Sequence, residues 1–283
     1  MHYQHRYHAG NFADVFKHVL LVALFDALNR KPAPWCYVDT HAGAGRYDLR
    51  DAASRRTEEA DSGIVRLWAD PAPDPALAAY LQIVRAANSG EALRTYPGSP
   101  AIAAAMARPG DRLVLCERVP EVAAALRRAL GADRRVAIHA RDGYEAVSLL
   151  PPREKRGLIL VDPPFERPDE FDATATFAAA ALQRFSSGVL AIWFPYKNRH
   201  LTERWLRRMQ RQTRQEAACC VLETGAHGEG QMRACGLLVV NPPFAFVQAM
   251  DAVLPVLASA LAQGARAEAR CEIWPARRDG APA

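Results

Sequence analysis

Short apolar segments alternate with helical segments along most of this 283-residue chain, and this alternation constrains the fold more than any other feature. Apolar runs with strand character lie at residues 35–39, 112–117, 135–140, 158–162 and 189–194. Apolar residues at helical spacing follow them, as in Val119 to Leu130. Strands that alternate with helices form a mostly parallel sheet covered on both faces. The sequence therefore predicts an α/β fold.

The second half of the chain departs from this alternation. Predicted strands at 217–223 and 233–241 follow one another, and a glycine-rich linker at 224–230 indicates an antiparallel hairpin. A short strand is predicted near 269–274. We therefore expect a mostly parallel seven-stranded sheet that ends in an antiparallel hairpin, which is typical of Rossmann-like class I methyltransferases that use S-adenosylmethionine.

We expect a single domain over residues 1–283, interrupted by one insertion. Residues 48–98 are rich in alanine, proline and charge and lack a strand pattern, so they predict a small inserted helical subdomain with a helix at 77–87. A first helix is predicted after Asn11, which can cap it. The tail at 276–283 is predicted to be disordered.

Composition favours a cytoplasmic protein that does not contact a membrane. The longest apolar candidate, residues 15–28, contains Lys17, His18 and Asp26, and the N-terminus lacks the pattern of a signal peptide. The six cysteines form no C-x-x-C pair, and the histidines near the N-terminus have no further ligands at recognisable spacing. No metal site is predicted.

Glycines and a carboxylate follow the first two predicted strands. Gly43 and Gly45 allow a tight turn and a close approach to a ligand, although the third glycine of a dinucleotide fingerprint is missing. Glu117 ends the second strand, where a carboxylate can accept both hydroxyls of a ribose. Either NAD or S-adenosylmethionine carries such a ribose, so this pattern alone leaves both open.

Acidic residues also end the other predicted parallel strands. Asp39 can face the ammonium group of a methionine, directly or through water, and Asp142 with Gly143 is placed to meet an adenine edge. Asp162 ends the fourth strand. Each acid alone is an ordinary cap or turn residue. Ligands of open α/β sheets bind at the carboxyl ends of strands, so four acids at four strand ends predict a ligand site.

The segment Asp162-Pro-Pro-Phe165 has the chemistry of an amine methyltransferase. Asp162 and the rigidly held carbonyl of Pro163 can each accept an N–H from an exocyclic amine, which directs the nitrogen lone pair at a methyl donor. Asp162 can then take the proton that is released. Phe165 offers a face on which an unstacked base can lie.

A second copy, Asn241-Pro-Pro-Phe244, ends the second arm of the predicted hairpin. It comes too late in the strand order to face the ligand site. Its prolines end a strand, and Phe244 begins a helix. We therefore predict that this copy is structural.

A basic segment follows the fifth predicted strand. Residues 196–214 carry seven lysines and arginines against Glu203 alone, a net charge of +6. Such a stripe suits a phosphate backbone. It is also typical of a solvated helix face, and charge alone leaves the two interpretations open.

Four motifs give the chain a resemblance to a known family. They are His8-Ala-Gly-Asn-Phe-Ala-Asp-Val-Phe-Lys-His18, Tyr37-Val-Asp-Thr-His-Ala-Gly-Ala-Gly-Arg-Tyr47, Tyr96-Pro-Gly-Ser-Pro100 and Asp162-Pro-Pro-Phe-Glu166. They closely resemble the RlmJ family, bacterial enzymes that methylate adenine N6 in 23S ribosomal RNA. The resemblance runs from Tyr3 to about residue 250, and the first two motifs are highly specific.

The resemblance implies roles for particular residues. Asp162 is implied as the catalytic residue and Tyr3 as a contact of the substrate, while Phe165 stands where the family commonly has tyrosine. The implied contacts of S-adenosylmethionine are Lys17, His18, His41, Ser99, Glu117, Asp142, Gly143 and Asp162.

The expected partner is 23S ribosomal RNA, either free of protein or at an early stage of assembly, and the expected state is a monomer. The proline motif also fits enzymes that methylate DNA adenine, cytosine N4 or protein glutamine. The absence of an evident target-recognition domain argues against sequence-specific DNA. The remaining alternative is an inactive RNA-binding module, which the intact Asp162 argues against.

Overall fold

The structure, a computed structural model, describes residues 8–51, 59–68, 74–226 and 232–277, which form ten strands and eight α-helices. The strands are β1 (Cys36–Asp39), β2 (Arg46–Asp48), β3 (Thr95–Pro97), β4 (Arg112–Cys116), β5 (Val136–His139), β6 (Gly157–Val161), β7 (Val189–Pro195), β8 (Ala217–Glu223), β9 (Ala234–Val240) and β10 (Glu268–Trp274). The helices are α1 (Phe12–Asn29), α2 (Ile64–Trp68), α3 (Pro75–Ala86), α4 (Ser99–Met106), α5 (Pro120–Leu130), α6 (Glu170–Arg184), α7 (Arg199–Gln212) and α8 (Phe244–Ala260). Two 3-10 helices span Glu59–Ser62 and Gly143–Leu149.

The main sheet has the order β10-β8-β9-β7-β6-β1-β4-β5. Its five strands from β7 to β5 are parallel, whereas β9 runs antiparallel to both β7 and β8. This order confirms the predicted α/β, Rossmann-like class I methyltransferase fold. The predicted count of seven strands is wrong, because β10 pairs with β8 along its whole length and makes an eighth strand at the edge.

The first helix, α1, is a buried central element rather than a surface helix. Asn11 caps it by accepting a hydrogen bond of 2.9 Å from the backbone N–H of Asp14, as the sequence predicts. Nearly every residue of α1 is buried, including Lys17 and His18. Because apolar residues cover all sides of this helix, it can pack against the sheet on one side and α3, α4 and α8 on the others.

The segment predicted as an insertion, residues 48–98, which we call the insertion, packs on α1. Its helix α3 begins after Asp74, whose carboxylate accepts from the N–H groups of the first turn, and it confirms the predicted helix at 77–87. The strand β3 pairs with β2 opposite Tyr47 and contradicts the expectation that this segment lacks strands. Strands of three residues are too short to show an alternating pattern, which explains the miss.

Two other expectations concern the ends of the chain and the membrane. Residues 278–283 of the predicted tail lie outside the described residues. Among the residues that the structure describes, no helix is long and apolar enough to cross a membrane.

Candidate active site

The candidate site lies where the strand order reverses. β1 is flanked by β4 and β6, and the backbone N–H of Thr40 donates to the carbonyl of Leu160 at 3.1 Å. A cleft of about 1660 Å³ opens at the carboxyl ends of these strands. The predicted site residues that line it are Lys17, His18, His41, Ser99, Glu117, Asp142, Gly143, Asp162, Pro163 and Phe165.

A buried ion pair joins α1 to the end of β6. The Nζ atom of Lys17 lies 2.5 Å from Oδ2 of Asp162 and 2.8 Å from Oδ1 of Asp14. Burial by itself would lower the pKa of Lys17, but the negative charges of Asp14 and Asp162 raise this pKa well above its ordinary value. Lys17 therefore stays protonated and holds one oxygen of Asp162 in a fixed position.

Glu117 is fixed by the backbone at the end of β4. Its Oε2 accepts from the N–H of Gly43 at 3.0 Å, and its Oε1 accepts from the N–H of Val119 at 2.8 Å. Burial raises the pKa of Glu117, while these backbone hydrogen bonds oppose the rise. Each carboxylate oxygen keeps a further acceptor site for a ligand hydroxyl.

Asp142 and Gly143 form the turn after β5. Asp142 caps the following 3-10 helix by accepting from the N–H of Tyr144 at 3.0 Å. A Cβ atom on Gly143 would lie 2.0 Å from the carbonyl oxygen of Thr40. Only glycine fits there, because the turn passes directly over the end of β1.

His41 is held as a neutral ring. The Thr40 hydroxyl donates its proton to the carbonyl of Leu160 at 3.1 Å, and the same oxygen lies 2.7 Å from Nδ1 of His41. Because a hydroxyl has one proton, Nδ1 of His41 carries the hydrogen of this second bond. Burial lowers the pKa of His41 to about 4. Its Nε2 is therefore a hydrogen-bond acceptor near pH 7.

Asp39 is enclosed by hydrogen bonds at the end of β1. Its side chain is 0% exposed, and its Oδ2 accepts from the hydroxyls of Tyr37 and Ser99, each at 2.7 Å. Its Oδ1 accepts from the N–H of His41 at 3.2 Å. Burial raises the pKa of Asp39 to about 6 despite these hydrogen bonds. Asp39 thus supports the wall of the cleft, and its expected contact with a ligand ammonium, directly or through water, stays a prediction.

Two tyrosines, linked by a hydrogen bond, hold the ring of His18. The hydroxyl of Tyr80 donates to the hydroxyl of Tyr96 at 3.0 Å, and the Tyr96 oxygen lies 2.8 Å from Nδ1 of His18. A chain of two hydrogen bonds therefore holds the ring of His18 in place. Both tyrosines belong to the insertion, so the insertion helps to position a residue of the cleft.

Phe165 has an unusual backbone conformation and aromatic neighbours. Its φ angle is +49°, a region that bulky residues rarely adopt. Its ring centroid lies 4.8 Å from that of Phe171 and 5.8 Å from that of Trp193. Strained backbone of this kind is found preferentially at functional sites.

The second proline motif lies at the other end of the strands, where β7 begins. β9 runs antiparallel to β7, so Asn241 comes next to the start of β7. Its Nδ2 donates to the carbonyl oxygens of Ser186 and Gly188, each at 2.8 Å. These hydrogen bonds support the prediction that this copy is structural.

Comparison with known proteins assigns the family. The family model described as RsmJ, "Ribosomal RNA large subunit methyltransferase D, RlmJ", matches residues 32–274. The chain belongs to the RlmJ family. The protein named ribosomal RNA large subunit methyltransferase J from Escherichia coli K12 is 37% identical over 264 residues, which cover 92% of this chain and 93% of the relative.

Two further relatives also match this chain over most of its length. The protein of that name from Haemophilus influenzae is 36% identical over 262 residues, which cover 92% of this chain and 93% of the relative. The crystal structure of protein LPL1258 from Legionella pneumophila is 35% identical with a TM-score of 0.87, and the match covers 95% of this chain and 98% of that one. The RlmJ fold thus extends over almost the whole chain.

The structure adds to the candidate site four residues that the sequence analysis did not identify. Asp14, Tyr144 and Trp193 line the same cleft, as does Glu59 from the insertion. Asp14 looked like an ordinary first-turn acid, and Trp193 looked like a core residue of a strand. Only contacts between distant parts of the chain distinguish them. Tyr3 lies outside the described residues, so its role stays a prediction.

The basic segment forms α7 and the turn before it. Lys197 lines the cleft, while Arg199 pairs with Glu203 and Arg208 pairs with Asp172. The exposed basic side chains include Arg204, Arg207 and Arg211 of the helix and Arg214 just after it. The described residues contain no group of three or more histidine, cysteine or acidic side chains that could hold a metal ion.

Proposed function

We propose that this protein transfers a methyl group from S-adenosylmethionine to N6 of an adenine in 23S ribosomal RNA, with Asp162 as the catalytic residue. The observation that carries the proposal is the position of Asp162, which ends β6 inside the cleft with Oδ2 held by Lys17. Membership in the RlmJ family and the names of its relatives support ribosomal RNA as the substrate.

The cofactor end of the cleft suits S-adenosylmethionine, which supplies an electrophilic methyl group on a sulfonium. Glu117 presents two fixed carboxylate oxygens that can accept the ribose hydroxyls. Asp142 lies at the next strand end, where it can accept from the adenine amine. The implied contacts from Lys17, His18, His41, Ser99 and Gly143 come from residues that all line this cleft.

The chemical end of the cleft suits an exocyclic amine. The lone pair of adenine N6 is delocalised into the ring, so the amine is a poor nucleophile until hydrogen-bond acceptors make it pyramidal. Lys17 occupies Oδ2 of Asp162, which leaves Oδ1 to accept one N–H of the amine. The carbonyl of Pro163 accepts the other N–H. Alignment by these acceptors accounts for much of the acceleration.

The released proton goes to Asp162. Methylation makes N6 cationic and strongly acidic, so the carboxylate of Asp162 can accept its proton. Lys17 cannot act as the base, because the carboxylates of Asp14 and Asp162 hold its pKa well above the ordinary value. The two residues therefore have different roles: Lys17 orients Asp162, and Asp162 accepts the proton from N6.

Phe165 provides a stacking face for the target base. A base must leave its helical stack before it can reach Asp162, and stacking on an aromatic ring offsets part of that cost. The φ angle of +49° and the contacts with Phe171 and Trp193 hold the ring at the cleft. Tyr3 is proposed as a second substrate contact.

Labelled methyl transfer onto RNA, DNA and protein in parallel tests this function. We expect label in protein-free 23S ribosomal RNA, recovered as N6-methyladenosine after digestion. Label in DNA, in protein glutamine or in another nucleoside would assign a different substrate. Tight RNA binding without transfer would identify an inactive binding module.

A further inference from the structure

A short part of the insertion contacts the turn that precedes α1. Glu59, the first residue of the 3-10 helix, accepts from Nδ1 of His8 through Oε1 at 2.8 Å. Its Oε2 accepts from Nδ2 of Asn11 at 2.9 Å. One carboxylate thus bridges two residues of this turn, which are 51 and 48 positions away in the chain.

The backbones of the two segments are also in direct contact. The N–H of Ile64 donates to the carbonyl of Gly10 at 2.8 Å. A Cβ atom on Gly63 would lie 2.2 Å from that carbonyl oxygen, so only glycine allows this approach. Residues 59–64, which we name the insertion clamp, therefore hold the turn at residues 8–11 through both side chains and backbone.

The turn leads directly to the catalytic ion pair. The N–H of Gly10 donates to Oδ2 of Asp14 at 3.0 Å, and Oδ1 of Asp14 accepts from Lys17. Lys17 in turn holds Asp162. Hydrogen bonds, linked by the backbone of the turn, thus connect the insertion clamp to the group that receives the proton.

The charge of Glu59 suits this position. Burial by itself would raise the pKa of Glu59, but the hydrogen bonds from His8 and Asn11 bring this pKa below its ordinary value. Glu59 is therefore ionised near neutral pH and can accept from both partners. His8 and Glu59 also line the cleft, so the clamp lies at its rim.

We propose that Glu59 is a positioning residue for methyl transfer, which sets the turn at residues 8–11 and, through Asp14 and Lys17, the orientation of Asp162. The inference rests on the proposed function, since it concerns the chemical step. Under this proposal the insertion covers α1 and also helps to position the catalytic residue. A small displacement of a catalytic group can cost about 10²-fold in rate, so a residue outside the reaction can control it.

Three variants test the proposal in the full-length protein. Glu59→Ala removes both bonds and should lower kcat roughly 10- to 100-fold while the KM for RNA stays within about threefold. Glu59→Gln keeps the shape of the side chain, and His8 can change tautomer to keep its bond, so most of kcat should return. Asp61→Ala is the matched control, because it removes an exposed carboxylate from the same 3-10 helix.

Combination with His8→Ala separates positioning from general destabilisation. If Glu59 acts through this turn, the double variant should lose no more kcat than Glu59→Ala alone. Melting temperatures and cofactor affinity, measured by calorimetry, should stay close to wild type for Glu59→Gln and Asp61→Ala.

The outcomes separate this inference from the proposed function. Wild-type protein that transfers no methyl group to RNA would overturn the function itself. Active wild type together with an equally active Glu59→Ala would overturn the clamp alone. A loss confined to the KM for RNA would also overturn it, because Glu59 would then serve RNA docking.

Discussion

The two Pro-Pro-Phe segments share their sequence pattern but lie at opposite ends of the strands of the main sheet. The first follows a parallel strand, so Asp162 lies in the cleft beside Lys17. The second follows an antiparallel strand, so Asn241 caps the start of β7 by donating to two carbonyls. Strand direction, rather than the motif, decides which copy can carry chemistry.

The backbone of the two segments differs as well. In the first, the left-handed residue is Phe165, with φ +49°; in the second it is Asn241, with φ +54°. Asparagine adopts this conformation readily, whereas a bulky aromatic residue does so at a cost. The second copy is thus an ordinary turn, while the first holds a strained ring at a cleft. The predictions below exchange or remove these features.

The largest effect is expected when the first copy is given the sequence of the second. Asp162→Asn keeps the shape of the side chain and an acceptor for Lys17, but it cannot take the proton. We expect methyl transfer to be abolished, with a loss of roughly 10²–10⁴-fold from proton transfer alone. Steady-state transfer to RNA measures this loss, and circular dichroism checks the fold. Turnover at the wild-type rate would exclude Asp162 as the base.

The next largest loss of activity is expected when Phe165, but not Phe244, loses its aromatic ring. Phe165→Leu removes the stacking face and should reduce kcat/KM by about 1–3 kcal/mol, or roughly 5- to 150-fold. Phe165→Tyr keeps that face and should remain near wild type. Phe244→Leu is the matched control, since Phe244 is 77% exposed at the start of α8. Equal losses in Phe165→Leu and Phe244→Leu would show that stacking at the first copy does not matter.

The reverse exchange should affect stability without affecting chemistry. Asn241→Asp removes both N–H donors to Ser186 and Gly188, so the free energy of unfolding should fall by about 1–2 kcal/mol. Chemical denaturation measures the change, and the transfer rate per folded molecule should match wild type. A selective loss of turnover at unchanged stability would mean that the second copy is a site.

The smallest effect is expected in the basic helix beside the first copy. Charge reversal at Arg207 and Arg211 should raise the KM for RNA and lower the log-log salt slope by about 0.9 for each lost phosphate contact on a duplex. Turnover at saturating RNA should change little. Reversal at Arg127 and Arg134, both exposed, is the control. An unchanged slope would show that α7 is a solvated face.

Much of the fold could be predicted from the sequence because most strands of the main sheet are apolar runs bounded by polar residues. The eight strands of the main sheet were all indicated, although the count of seven left β10 outside the sheet. The three-residue strands β2 and β3 were missed, because so few residues carry no periodic signal. Their pairing depends on contacts between the two ends of the insertion.

Only part of the candidate site could be predicted from the sequence. The physical reason why a residue was or was not recognised differs between residues. Asp162 and Glu117 are recognisable because an acid directly follows an apolar strand. Asp39 fits the same pattern, yet hydrogen bonds from Tyr37 and Ser99 turn it into a support. Glu59 was missed because its partners lie about fifty residues away, and no local pattern reports such a contact.

Nucleoside mass mapping of large-subunit ribosomal RNA tests the central claim most directly. Cells that lack the gene should lose one N6-methyladenine, which wild-type protein and Asn241→Asp restore and Asp162→Asn does not, at matched protein levels. An unchanged set of N6-methyladenines in those cells, or restoration by Asp162→Asn, would contradict the account.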